Sequence, residues 1–266
     1  MNVVRTVDAV RETLEPARRR ADRIALVPTM GALHAGHLAL LRAARERSEL
    51  VVMSLFVNPS QFDAADDLAR YPRDEEADVA AAEAAGVDVV FAPAVAELYP
   101  PGFDTWVDPG ELAEVLEGAA RPGHFRGVAT VCTKLFVIVA PTAAYFGQKD
   151  AQQLAVVRRV VRDLHLALEI VAVPTVRDPD GLALSSRNGF LSPDERASAL
   201  ALPHALEAGA AARRAGTDPV DAARAVLEGE PALRIEYVAV ADFDVPTLVA
   251  AVRVGDTRLI DNVRLA

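Results

Sequence analysis

Two histidines three residues apart, His34 and His37, lie in the run Pro28-Thr29-Met30-Gly31-Ala32-Leu33-His34-Ala35-Gly36-His37. Imidazoles at this spacing can donate N–H bonds to non-bridging phosphate oxygens as charge builds up in a transition state. The glycine between them lets a phosphate approach the backbone closely. Nucleotidyl transfer is the chemistry this suits. The run contains neither G-x-x-x-x-G-K-[ST] nor G-x-G-x-x-G, so it is neither of the common phosphate cradles. Spacing alone leaves two alternatives: His34 caps the turn while His37 is an ordinary first-turn residue, or the pair belongs to a zinc site. Zinc is the weaker, because Cys132 is the single cysteine and no third ligand lies nearby.

Positioning these rings requires an element on each side. The apolar run Ile24 to Val27 leads in as a strand, and the amphipathic segment Leu38 to Arg47 leads out as a helix. A buried strand turning through glycines into a helix is expected to leave backbone N–H groups open to an anion, at the positive end of the helix dipole. A second apolar run, Leu50 to Val57, suits a strand buried on both faces of a parallel sheet. It ends at Asn58-Pro59-Ser60-Gln61-Phe62, at the strand edge where open α/β sheets bind ligands. A short strand at Ala143 to Phe146 delivers Gly147-Gln148-Lys149-Asp150. Only one other lysine, Lys134, exists in the chain, so Lys149 at a strand end is a candidate for neutralising phosphate charge. Arg187, with Ser185 and Ser186, offers a planar cation and two hydroxyls for phosphate oxygens, although Ser-Ser-Arg-Asn alone also reads as a solvated turn.

Between these segments the alternation continues. Helices are predicted at residues 6–20 with a Thr6 cap, Asp74 to Ala85, Val128 to Val139 and Ala151 to Leu164, and strands at Val87 to Phe91 and Leu168 to Val173. Pro93 to Gly123 is rich in proline and glycine and reads as an irregular excursion, with a short helix near Glu111 to Leu116, that covers a site or makes an interface. This predicts an α/β fold: a Rossmann-like, doubly wound parallel sheet with right-handed crossovers over residues 1–175. Residues 176–266 form a smaller C-terminal α+β domain. It starts a helix at Ser192-Pro193, continues through two alanine-rich helices, and has strands at Ile235 to Val240 and near Thr257 to Ile260.

Composition narrows the partners. A net charge of -10 argues against a nucleic-acid backbone binder, so an anionic substrate has to be held by local positive charge. The single Cys132 excludes an intrachain disulfide framework and, in an apolar stretch, reads as a buried, inert thiol. The start of the chain lacks a signal-peptide core and no uncharged run reaches the ~20 residues of a membrane span, so the default expectation is cytoplasmic, without membrane association.

Taken together, P-T-M-G-A-L-H-A-G-H, F-V-N-P-S-Q-F, H-F-R-G-V-A-T-V, Y-F-G-Q-K-D-A-Q-Q and L-S-S-R-N resemble the pantothenate synthetases, the pantoate–β-alanine ligases of the H-x-G-H nucleotidyltransferase superfamily. The resemblance covers residue 24 to about residue 190 in order and spacing, and the small final domain matches in length and character. It implies a nucleotidyltransferase-type fold and a two-step reaction. Pantoate and ATP give pantoyl adenylate and pyrophosphate, with Mg²⁺ carried on the phosphates, and β-alanine then attacks the acyl carbon and releases AMP.

The resemblance also implies roles. His37 and His34 act with Lys149 and Arg187 in catalysis. ATP is lined by Met30, Gly31, Ala32, Leu33, His34, Ala35, Gly36 and His37, by Gly147, Gln148, Lys149 and Asp150, and by Val176, Leu184, Ser185, Ser186 and Arg187. Gln61 and Gln153 bind pantoate, Asn58 lies near the β-alanine path, and His124 with Arg126 closes the pantoate pocket. Neutral amides fit a carboxylate that must stay nucleophilic. Some relatives carry an acidic cluster for Mg²⁺ after Tyr-Pro-Arg. Here Asp74-Glu75-Glu76-Ala77-Asp78 departs from that arrangement, so no protein metal ligand is assigned. The C-terminal domain is expected to close over the site, and the molecule to be a homodimer. Rival readings are an adenylyltransferase that makes a dinucleotide and a silent nucleotide sensor. The Gln61/Gln153 pair speaks against the first, and the intact His34, His37, Lys149 and Arg187 set against the second.

Overall fold

In the computed structural model, residues 1–62, 68–69 and 71–265 are described. They divide into two compact units, one of Met1–Gly147 with Gln152–Val173, the other of Gln148–Ala151 with Pro174–Ala266.

In the first unit, six strands among the described residues form one parallel sheet: β1 (Asn2–Val4), β2 (Ile24–Thr29), β3 (Leu50–Leu55), β4 (Val89–Phe91), β5 (Ala143–Gly147) and β6 (Glu169–Val173). Their spatial order is β1-β4-β3-β2-β5-β6, so the winding reverses between β2 and β5. Helices α1 (Val7–Arg19), α4 (His124–Val139) and α5 (Ala151–Asp163) cover one face, and α2 (Ala35–Arg47) and α3 (Glu75–Ala84) the other. Pleating divides each strand between two cores. Ile24 and Leu26 of β2 join Val10, Leu14 and Phe136 on one side, whereas Ala25 and Val27 join Leu41, Ala44 and Ala82 on the other. Being buried on both faces is what makes these strands continuous apolar runs.

The ladder between β2 and β5 registers Ala25 with Ala143 and Leu26 with Ala144 and stops there. Pro28 comes two residues later on β2. Its missing N–H therefore falls beyond the β5 pairing, which is where a proline can sit in a central strand. The strand ends separate at the reversal of winding, where this fold places its ligand crevice.

Three local expectations are corrected. α4 begins at His124 rather than Val128, entered from left-handed Gly123, because His124 and Phe125 are buried and complete its inner face. The short helix expected near Glu111 to Leu116 is instead a 3₁₀ turn at Gly110–Ala113 and a helical turn at Glu117–Ala120, separated by Leu116 at φ 51°. β1 was not expected; with three residues pairing only with β4, it is too short to show periodicity.

The second unit packs α6 (Pro193–Ala199), α7 (Ala201–Arg214) and α8 (Pro219–Glu228) with an antiparallel sheet of β7 (Leu233–Asp242), β8 (Pro246–Val254) and β9 (Thr257–Arg264). β8, the central strand, was missed by sequence reading. Its Leu248-Val249-Ala250-Ala251-Val252 is buried throughout, so it lacks the alternation of a half-exposed strand, and alanine is a weak strand former.

Candidate active site

The turn after β2 reaches its shape through two consecutive left-handed residues, Gly31 at φ +84° and Ala32 at φ +52°. His34 is then the N-cap of α2: its Nδ1 accepts the Gly36 N–H at 3.1 Å, and His37 Nδ1 accepts the His34 N–H at 3.3 Å. The rings lie 4.2 Å apart between centroids, tilted by 38°. A Cβ on Gly36 would come within 2.8 Å of His34 Cε1, so that cap needs glycine there.

The capping alternative for His34 is thus realised, and it constrains the chemistry. A ring nitrogen that accepts an amide N–H is unprotonated, so in the neutral ring the proton sits on Nε2 of both imidazoles. Capping fixes the tautomer that a phosphate-binding imidazole needs.

The backbone of this loop does not match the expected open cradle. Ala32 N–H and Leu33 N–H donate to the Asp78 carboxylate at 3.0 and 2.8 Å, and the amides of His34 and Gly36 serve the imidazoles. The donors pictured as waiting for an anion are therefore taken internally at these four positions. Sequence reading missed Asp78, which is 4 % exposed on α3. Its signal was an acidic residue in line with Ala82, four residues on, on the buried face of a predicted helix.

After β3, Asn58, 1 % exposed, is the hub of a hydrogen-bonded cluster. Its Oδ1 accepts from Tyr99 Oη and Ser60 Oγ, each at 2.8 Å, and its Nδ2 donates to Gln61 Oε1 at 3.0 Å and Gly127 O at 3.2 Å. Fixing Gln61 Oε1 in this way turns its Nε2 donors toward Met30, whose Sδ lies 3.2 Å away. The two loops thereby meet within the first unit. Gln61 is also held by its backbone: His124 Nδ1–H donates to Gln61 O at 2.8 Å and Arg121 Nη2 donates to the same oxygen at 3.3 Å. The structure gives His124 this buried positioning role, while Arg126 is exposed and lies 4.6 Å over the Trp106 ring. Burial raises the Tyr99 phenol above its ordinary range, keeping it a hydrogen donor.

Of the adjacent glutamines on α5, Gln152 is fully engaged: it accepts from Glu117 N–H at 3.0 Å and donates to Leu112 O and Val115 O at 2.8 Å each, pinning the irregular excursion. Gln153, the residue singled out from sequence, is half-buried beside it.

The second unit brings its own candidates together. Asn262 Nδ2 donates to Gln148 O at 3.0 Å and Lys149 O at 2.7 Å, and neighbouring Asp261, 1 % exposed in its side chain, grips Arg177 at 2.6 and 3.1 Å. One point on β9 therefore anchors both the Lys149 backbone and the loop that starts at Val176. Within that loop Leu184 N–H bonds Val176 O at 2.9 Å, and Ser185 Oγ accepts the Arg187 N–H at 3.2 Å. Lys149 Nζ lies 3.7 Å from Asp150 Oδ1; Ser186 and Arg187 are exposed. Asp261 and Asn262 were not legible from sequence, being far along the chain in a strand whose register sets their role. His165 and His204, outside every motif, are both exposed.

Comparison with known proteins agrees with this architecture. A family model described as pantoate-beta-alanine ligase matches residues 2–264. Pantothenate synthetase from Moorella thermoacetica is 53% identical, over 100% of this chain and 99% of that protein, and that from Chloroflexus aurantiacus is 54% identical over 98% and 97%. The crystal structure of pantothenate synthetase from Thermus thermophilus aligns with a TM-score of 0.92 at 46% identity, covering 100% of this chain and 99% of that one. Pantoate-beta-alanine ligase from Francisella tularensis, complexed with beta-gamma ATP and beta-alanine, aligns with a TM-score of 0.85 at 31% identity over 100% and 98%. With the doubly wound sheet, the imidazole pair capping its second helix and a family match across nearly its whole length, the chain belongs to the pantoate-beta-alanine ligase family.

Proposed function

We propose that this chain condenses (R)-pantoate with β-alanine at the expense of ATP, through a pantoyl adenylate, as its family and the ATP- and beta-alanine-bound relative support. The pantoate carboxylate oxygen bonds to the α-phosphorus and the bond to pyrophosphate breaks. The β-alanine amine then attacks the acyl carbon, AMP departs with the bonding electrons, and the amine proton passes to solvent.

The observation that carries this reading is the imidazole pair whose Nδ1 atoms each accept a backbone N–H, which leaves the proton of each neutral ring to Nε2. Neutral rings suffice to donate hydrogen bonds to the transferred phosphate as its charge grows. In this reading residues 1–175 form the ATP- and pantoate-binding catalytic domain and residues 176–266 the domain that closes on it. Met30–His37, Gly147–Asp150, Val176 and Leu184–Arg187 hold ATP, Lys149 and Arg187 neutralise its phosphates, and Gln61 and Gln153 hold pantoate. Asn58 acts on the substrates through Gln61, since its own amide is consumed by protein partners. Mg²⁺ supplies further charge neutralisation when it arrives on the nucleotide. Both oxygens of Asp78 accept backbone N–H groups, which supports leaving that ion to phosphates and water. A cytoplasmic homodimer completes the proposal.

Pyrophosphate release with ATP and pantoate, followed by β-alanine-dependent AMP formation, tests the function. Pyrophosphate released without pantoate, or none at all, overturns it.

A further inference from the structure

We propose that Asp78 is the positioning residue of the H-x-G-H loop, an internal anion that seats the two left-handed residues and thereby sets the capped tautomers of His34 and His37; the catalytic consequence rests on the adenylation reading above. Asp78 comes from α3, more than forty residues along the chain from the loop. Its Oδ2 accepts the Ala32 N–H at 3.0 Å and its Oδ1 the Leu33 N–H at 2.8 Å. The turn made by these two residues of positive φ brings the successive amides of Ala32 and Leu33 onto one carboxylate, and successive amides in a turn form an anion-binding concavity. Here the protein fills that concavity itself. Gly31 is shaped to the carboxylate, since a Cβ there would lie 2.5 Å from Asp78 Oδ2 and 3.0 Å from Leu55 Cδ1. Ala32, a residue that resists φ +52°, is held there through its amide.

Two consequences follow. The amides of Ala32, Leu33, His34 and Gly36 are taken within the protein, so phosphate recognition at this end of β2 cannot rest on these four and draws on the imidazole side chains. The direction of the chain entering the His34 cap is also set by Asp78, so a change there alters imidazole geometry without touching substrate.

Asp78→Asn tests this. An amide cannot accept two N–H donors on its two terminal atoms: one of them becomes an NH₂ group facing an N–H. The account expects kcat for pyrophosphate release to fall by about 10²-fold, because small misplacements of reacting groups carry losses of that size, with KM for ATP and pantoate changing only about threefold or less. Nitrogen-15 spectra of His34 and His37 should show single Nε2–H tautomers in the wild type and tautomer exchange in Asp78→Asn. In the unmodified chain, the amides of Ala32 and Leu33 should exchange hydrogen about 10²-fold or more slowly than open amides. This last arm needs no variant to fold. Wild-type kcat and unchanged ring signals in Asp78→Asn, or rapid exchange at Ala32 and Leu33 in the wild type, overturn the proposal. A wild type that releases no pyrophosphate defeats the adenylation reading, while exchange and ring signals still decide the role of Asp78.

Discussion

Replacing Gly127 with alanine puts one methyl group where the fold has no room for it. The added Cβ would lie 2.3 Å from Ser60 O, 2.6 Å from Ser60 C and 2.8 Å from Gln61 N, all backbone atoms that cannot swing away. Reaching the 3.4 Å of ordinary contact requires α4 and the Pro59–Gln61 turn to part by about 1 Å. That movement stretches the 3.2 Å bond from Asn58 Nδ2 to Gly127 O past hydrogen-bonding range. Overpacking costs about 1–3 kcal/mol and an unmade buried hydrogen bond about another 1–3, against about 1 kcal/mol gained from removing a mid-helix glycine. The balance is a loss of about 3 kcal/mol, or about 6–12 °C in Tm for a chain of this size. Because Gln61 moves with the turn, pantoate binding should weaken about tenfold while ATP binding holds, a loss of about 1.4 kcal/mol confined to one substrate. A calorimetric melt and the two KM values read this directly. An unshifted Tm with an unchanged pantoate KM would refute the claim that this contact seats Gln61.

Three further outcomes follow from the same geometry. His37→Ala should lower turnover far more than ATP affinity, by about 10²–10³-fold for a lost transition-state donor, and comparable losses in binding alone would contradict that role. Tyr99→Phe removes the hydroxyl from Asn58 and should cost about 1–2 kcal/mol in a denaturant melt, with a higher pantoate KM; unchanged values would separate Tyr99 from the Gln61 cluster. Burial pushes the Cys132 thiol up to about 12, so iodoacetamide at pH 8 should label it only on unfolding. The sign runs with the proton: the folded chain keeps a proton the unfolded chain loses near its ordinary value of 9.0, so this stabilising contribution is present below about pH 9 and is lost as pH rises toward 12. Labelling of the folded chain at the rate of an open thiol would contradict this.

What was legible in the sequence was whatever is local. Ile24–Val27, Leu50–Val57 and Ala143–Phe146 showed as apolar runs because a parallel strand between two helical layers has no wet face, and the polar residues that punctuate their ends drew attention to the loops. The roles of Asp78, Asn262 and Tyr99 depend on register and crossover. An acidic residue early in a helix reads as a complement to the dipole until the fold shows it turned inward onto Ala32 and Leu33. The glycine loop drew attention through its imidazoles and glycines, and the expectation of an open backbone cradle is what the structure corrects. Its amides looked open because sequence shows that a helix begins there, not which side chains arrive to take the donors. β8 was hidden by its depth, since burial on both faces erases the alternation by which a strand is read.

The central claim is that pantoate is activated on phosphorus before β-alanine takes part, and isotope exchange isolates that step. With ATP, labelled pyrophosphate and pantoate, and with β-alanine withheld, the account predicts label entering ATP in the wild type and almost none in His37→Ala. Exchange that requires β-alanine, or that proceeds equally without pantoate, would contradict it.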